Sequence, residues 1–179
     1  MTVLTRTPSN PNLLHPNKFQ ISCPRLPNIQ YFTQSLAVPG IAMSESFFPT
    51  PFVDIYPPGE KAIFDILNIT FLVDEELTAW LEVYDWIFGM TFPTDFSDYN
   101  TLPTQYRNKV GTTKDRFPQY SDMSITILTS SNNPIVRFDY KDCYPTSLSN
   151  FLISATDDPN NPITSDVSIR YAYFKTTIL

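Results

Sequence analysis

Glycine is scarce in this 179-residue chain, with 4 residues against 17 prolines. Few backbone positions can take positive φ without strain, so most turns must be set by proline. No glycine-rich stretch exists to cradle a phosphate. Histidine is scarcer still. His15 is the only one, and Ser–His–Asp, Cys–His or general-base chemistry on histidine would all have to use that residue. The two cysteines, Cys23 and Cys143, lie far apart with no close-spaced partner. Zinc would need both of them and His15 without any usual ligand spacing. Free buried thiols of a cytosol-made protein are expected, since a disulfide would require folding to bring the two together. Long apolar runs are missing too: nothing approaches the ~20 residues of a membrane helix. The opening MTVLTRTPSNPNLLHP lacks the basic-then-apolar order of a signal peptide. A soluble protein with no membrane partner is the expectation. Basic charge is also short, with 12 Lys and Arg against 18 Asp and Glu, a formal net charge of −6. That balance argues against tight nucleic-acid binding.

What is present is apolar and aromatic mass. Hydrophobic residues make up 42% of the chain and aromatics 15%, ample for the core of one domain. The centre of the pattern is Ala62 to Pro93. Ile63, Asp65, Leu67, Ile69, Phe71 and Val73 alternate as one face of an extended strand. Asp74 is placed to cap a following helix, with Glu75 and Glu76 at its positive end. Leu77, Trp80, Leu81, Tyr84 and Ile87 recur at helical spacing and predict the buried stripe of that helix. Gly89 reads as its left-handed stop, and Pro93 forbids continuation.

Residues 1–16 carry three prolines and four Ser or Thr residues and read as an N-terminal arm. Residues 17–179 read as one β domain. Its early strands are expected at Lys18–Cys23 and Ile29–Val38, with Pro39-Gly40 as the turn that ends the second. Ser44 to Tyr56 (SESFFPTPFVDIY) sets aromatics around a Pro-Thr-Pro centre. It is either an inserted hairpin with a proline-fixed tip or a loop folded on the core. Its exposed form would be an arm that docks on another subunit. Residues 94–120 form a long loop without sustained period, in which Arg107, Lys109, Lys114 and Arg116 alternate with aromatics. Asp95, Asp98 and Asp115 interrupt that patch, which favours a subunit contact over stacking of single-stranded bases. Later strands are expected at Asp122–Thr129, Ile135–Cys143, Leu148–Ala155 and Asp166–Ile178, with Pro145-Thr146 as a break.

Catalytic or metal-binding constellations do not assemble from this material. Asp157, Asp158, Asn160 and Asn161 offer oxygen ligands but lack the regular spacing and closing Glu of a calcium loop. Helix capping accounts for Asp74, Glu75 and Glu76 better than acid–base work does. No enzyme, no cofactor and no metal are expected.

Several segments, in order, resemble the tail tube proteins of contractile-tailed bacteriophages, a family related in fold to the secreted tube protein of type VI secretion systems. The segments are His15-Pro16-Asn17-Lys18-Phe19 entering the first strand, Val38-Pro39-Gly40-Ile41, and Phe64–Val73 with Asp74-Glu75 and a helix bearing Tyr84-Asp85-Trp86. Cys143-Tyr144-Pro145-Thr146-Ser147-Leu148 and a tyrosine-bearing last strand complete the series. The resemblance covers about two thirds of the chain. It implies a small β-barrel or two-sheet sandwich of about seven or eight strands with one flanking α-helix. It also implies homohexameric rings that stack into the inner tube of a virion tail, made in the host cytoplasm. The tail sheath, baseplate and tape-measure proteins would be its partners, and DNA would cross the lumen transiently at ejection without specific binding. In that setting Phe47, Phe48, Phe52, Ile55 and Tyr56 would make ring-stacking or subunit contacts. The arm, the aromatic segment and the long loop depart from the family pattern. A main tube subunit, a tube-initiating baseplate subunit and a tail-completion subunit all remain open, as does a β-rich receptor- or carbohydrate-binding module.

Overall fold

The structure, a computed structural model, describes residues 12–91, 119–156, 158 and 160–179. Most of the N-terminal arm and nearly all of the loop at 94–120 lie outside these residues. The described part is mainly β, with nine strands and two helices. In chain order these are β1 (Phe19–Ser22), α1 (Pro27–Phe32), β2 (Thr33–Ala37), β3 (Ile41–Glu45), β4 (Pro58–Phe64), β5 (Leu67–Leu72), α2 (Thr78–Thr91), β6 (Ser121–Leu128), β7 (Pro134–Leu148), β8 (Thr164–Arg170) and β9 (Tyr173–Ile178).

Strand β7 organises the two main sheets. Its first part pairs antiparallel with β6 and β9, and β6 pairs with β1. Its last residues, Tyr144 to Leu148, pair instead with β8, which continues through β5 to β2. The chain turns from one sheet to the other at Asp142, whose φ is 55°. An irregularity in the β6–β7 register between Ser121 and Met123 absorbs the extra residue there. Pro145-Thr146 therefore does not end the strand as expected. Pro145 pairs with Ile169 just before a second register shift, and the strand runs on.

One face of each sheet is buried. Leu67, Ile69 and Phe71 of β5 are fully covered, as are Val167 and Ile169 of β8. Ile21, Met123, Ile125, Tyr140 and Cys143 contribute from the other sheet, and Leu26 and Ile29 from α1 and the turn before it. Both cysteines are buried and free. Burial pushes the Cys143 thiol up to about 12, with the nearby Cys23 adding to the shift.

The alternation read over Ala62–Val73 survives in its second half only. The chain breaks at Asp65-Ile66 into β4 and β5, and Ile63 is exposed while Leu67, Ile69 and Phe71 are buried. Helix α2 differs from expectation at both ends and around its axis. Leu77 takes φ 58°, so Glu75 and Glu76 lie in a turn and the helix starts at Thr78 with no acid in its first turn. Asp74 still caps it. Its carboxylate accepts from the Thr78 N–H at 3.0 Å, the Ala79 N–H at 3.1 Å and the Thr78 hydroxyl. The buried face is Ala79, Val83, Trp86 and Gly89, not the stripe from Leu77 to Ile87. Gly89 lies inside the helix and does not stop it. Ile29 belongs to α1, where Pro27 occupies the first turn, so Ile29–Val38 is a helix and a shorter strand. No strand forms over Leu148–Ala155 beyond Leu148, and Asp166–Ile178 is two strands split after Arg170.

Candidate functional site

The segment between β3 and β4 is a hairpin arm. These two strands form their own two-stranded sheet, outside the path that joins the other seven. Beyond them Ser46 N–H donates to Pro57 C=O at 3.1 Å, and Phe48 and Ile55 exchange both backbone hydrogen bonds at 2.9 and 3.0 Å. The tip runs through Pro49-Thr50-Pro51-Phe52, where the Thr50 side chain and the Val53 backbone hydrogen-bond each other. Two prolines fix φ at this tip and shorten the list of unfolded conformers. Ser44–Tyr56 is thus paired across the arm, from the end of β3 to Phe48 opposite Ile55.

The arm keeps its apolar residues in solvent. Phe52 is 97% exposed, and Phe47, Phe48, Ile55 and Tyr56 are each at least half exposed. Phe47 and Tyr56 face each other across the arm with ring centroids 5.6 Å apart, and Phe48 opposes Ile55. The structure thus brings together four of the five residues singled out from sequence, with Phe52 at the tip. Ile41, Met43, Val53 and Ile63 are exposed as well, with Ile41 and Met43 on one face of the β3–β4 pair and Ile63 on the other. Sequence reasoning missed Ile41, Met43 and Ile63, because alternation over Ala62–Val73 marks Ile63 as a core position.

The root of the arm is held tightly. Asp65 N–H donates to Gly40 C=O at 3.2 Å, and the Tyr171 hydroxyl donates to Asp65 C=O at 2.8 Å. Burial, then the Asp65 carboxylate, pushes the Tyr171 phenol up to about 12. Phe64, Tyr171, Phe174, Tyr140 and Phe138 pack edge-on or tilted around this anchor, at centroid distances of 4.9–6.0 Å. Gly59 is required by close approach: a Cβ there would meet the Ser44 side chain and carbonyl, with the carbonyl carbon at 2.8 Å. Beside this root lies a groove of about 510 Å³ lined by Val38, Pro39, Ile63, Phe64 and Ile66, with Asp65 and Arg170 at its polar side. A second cleft of about 780 Å³ separates β1 from α1 and β2, between Phe19, Ile21, Tyr31 and Gln34.

The outward faces of the two sheets differ. On β5 and β8, Asn68 bonds Ser168 at 2.8 Å and Thr70 bonds Asp166 at 2.6 Å, a lattice of short polar side chains. On β6 and β7 the outward residues include ion pairs, Arg137 with Asp139 at 2.9 Å and Lys141 with Asp122. Among the described residues no group of three His, Cys, Asp or Glu side chains could hold a metal ion. Asp158 instead accepts from the Asn160 backbone at 3.0 Å, a local turn.

Over 171 residues the chain is 27% identical to the tail tube terminator protein of Enterobacteria phage T4, spanning 92% of this chain and 89% of that protein. In structure it is similar to the tube-terminating cap of the anti-feeding prophage, with a TM-score of 0.62 and 14% identity over the whole of both chains. It is similar also to the sheath/tube terminator of an extracellular contractile injection system called PVC, in its extended state. That match has a TM-score of 0.62 and 12% identity, over 93% of this chain and 97% of the other. No protein-family profile matches the chain. The mainly β, tube-like fold expected from sequence is present, with nine strands and two helices in place of seven or eight and one. The likeness in sequence is to a tube-terminating protein, which corrects the emphasis on the main tube subunit.

Proposed function

We propose that this protein is a structural subunit at the end of a contractile tail tube, where it completes the tube as a ring of identical copies. The observation that carries this reading is the 27% identity to a tail tube terminator along nearly the full length of both proteins. The arm gives the reading a physical basis. A monomer gains nothing from exposing nine large apolar side chains, whereas a subunit held between neighbours covers them. The closing of open strand edges between copies works in the same direction, because β1, β2 and β9 each have one edge unpaired among the described residues. A ring at a tube end would sit in the virion, against tube below and sheath around it, and it needs no reaction. The formal charge of −6 suits a wall past which DNA moves without adhering.

The ring reading takes six copies as its working number, by likeness to the tube family, and leaves no part for a cofactor. Its test is localisation in the particle. Gold-labelled antibody against a peptide tag fused after Leu179 should mark one end of each tail tube. Label along the whole tube would make the chain the main tube subunit. Particles without label would reject the tail role.

A further inference from the structure

The arm and the groove at its root are complementary, and they cannot meet within one molecule. Phe52 lies about ten residues of extended chain beyond the groove, roughly 30 Å at strand rise. Folding the tip back would break the hydrogen bonds of β3 with β4 and of Phe48 with Ile55. The tip offers Phe52 and Val53, both far more exposed than buried, followed at once by Asp54. The groove offers Val38 and Ile63, both about half exposed, with Ile66 beside them and Arg170 at its rim. Neither Asp54 nor Arg170 forms an ion pair among the described residues. Asp65 shares the groove, with a carboxylate oxygen close to Gly40.

From this we infer that the arm of one copy seats in the root groove of a second copy, with Phe52 and Val53 against Val38, Ile63 and Ile66, and Asp54 facing Arg170. The occupant is a second copy because each chain carries both halves: an apolar tip followed by the acid Asp54, and an apolar groove with the base Arg170 at its rim beside Asp65. Such a contact is heterologous, tip to root, and leaves one copy with a free groove and the other with a free tip. It closes into a ring when the rotation between copies permits and otherwise stacks without end. The inference rests on the ring reading above and names the surface that receives the arm.

The test is a charge exchange. Self-association of the purified full chain is measured by sedimentation velocity and mass photometry for four proteins: the original, Asp54→Arg, Arg170→Asp, and the double variant. Circular dichroism and denaturant melts establish that each is folded. Each single reversal should weaken association at least tenfold, and the double should recover to within about threefold of the original. Raising salt should weaken the original and the double alike, since both depend on an exposed ion pair. A double variant no better than the weaker single, or single variants that associate like the original, would overturn the pairing. So would an original chain that stays monomeric throughout. Gold label at the tube end together with a failed exchange would keep the tube-end role and reject the arm-in-groove contact. Label absent from particles would reject the role itself.

Discussion

The same side chains behave in opposite ways in two adjoining regions of this molecule. Leu67, Ile69 and Phe71 on β5 are wholly buried, while Ile63, Phe52 and Phe48, a few residues earlier, stand in solvent. Both stretches are extended, and both are rich in Phe and Ile. They differ in what lies across from them. Strand β5 has β2 and β8 on its two edges, with helices and the second sheet below it. Strand β4 pairs only with β3 among the described residues, and the arm beyond them leaves its apolar side chains exposed. Hydrophobic residues in the first region stabilise the monomer. Those in the second contribute little to it, which suits the association proposed for the arm.

This contrast can be broken by substitution, and the stability effects should fall from the core outward. Phe71→Ala should destabilise the monomer by about 3–5 kcal/mol, the cost of an aromatic cavity in a core, measured by denaturant unfolding. Association would be lost with the fold. Asp74→Ala removes the acceptor for the Thr78 and Ala79 N–H groups and should cost about 1 kcal/mol, as for a helix cap.

The Asp74 effect has a pH signature. Burial alone would raise this carboxyl, but hydrogen bonds from Thr78 and Ala79 outweigh it and hold the group below its ordinary value of 3.8. A group depressed in the folded state stabilises above its unfolded pKa and loses that contribution as pH falls through the folded one. The original chain should therefore lose its advantage over Asp74→Ala only below about pH 3.9. An advantage that vanishes near pH 6 would contradict this origin.

Gly59→Ala should act on the arm alone. The added Cβ meets the Ser44 backbone, so exchange protection at Ser46 and Phe48 should fall while the global unfolding midpoint moves by less than about 1 kcal/mol. The smallest effect on stability is expected for Phe47→Ser with Phe48→Ser. Folding should change by no more than about 0.5 kcal/mol, the range of ordinary surface substitutions, yet association should be abolished. A large loss of monomer stability would mean that the arm packs on its own chain.

The sequence carried the fold class because the strongest alternations sit where both edges of a strand are paired and one face is buried. Leu67 to Phe71, Met123 to Ile125 and Val167 to Ile169 are such places, and all of them are buried at alternate positions. The helix was legible as a helix but not in its orientation. Two apolar faces compete on α2: Trp80 stacks on Tyr84 at 5.4 Å and is only partly buried at the edge of the core, where it also meets Phe151. Trp86 faces inward with Arg25 over its ring at 4.4 Å, and its indole N–H donates to Gln119 C=O at 2.9 Å. No periodicity encodes those distant partners. The short helix at Pro27–Phe32 was hidden by strand-forming residues whose local preference gave way to packing of Ile29 in the core.

The arm was legible for a different reason. Phe47-Phe48 and Phe52-Val53 around two prolines follow no core period, so they stood out as residues without an assigned place. The groove that we assign to receive them could not be read in sequence. It joins Val38, Ile63 and Arg170, which come close only because β2, β4 and β8 converge on the break at Asp65.

The most direct measurement is electron microscopy of the purified chain in negative stain over a concentration series, beside the Phe47→Ser, Phe48→Ser variant. The tube-end account predicts rings with a central hole for the original chain and folded monomers for the variant. Identical particles from both proteins, whether rings or monomers, would contradict it.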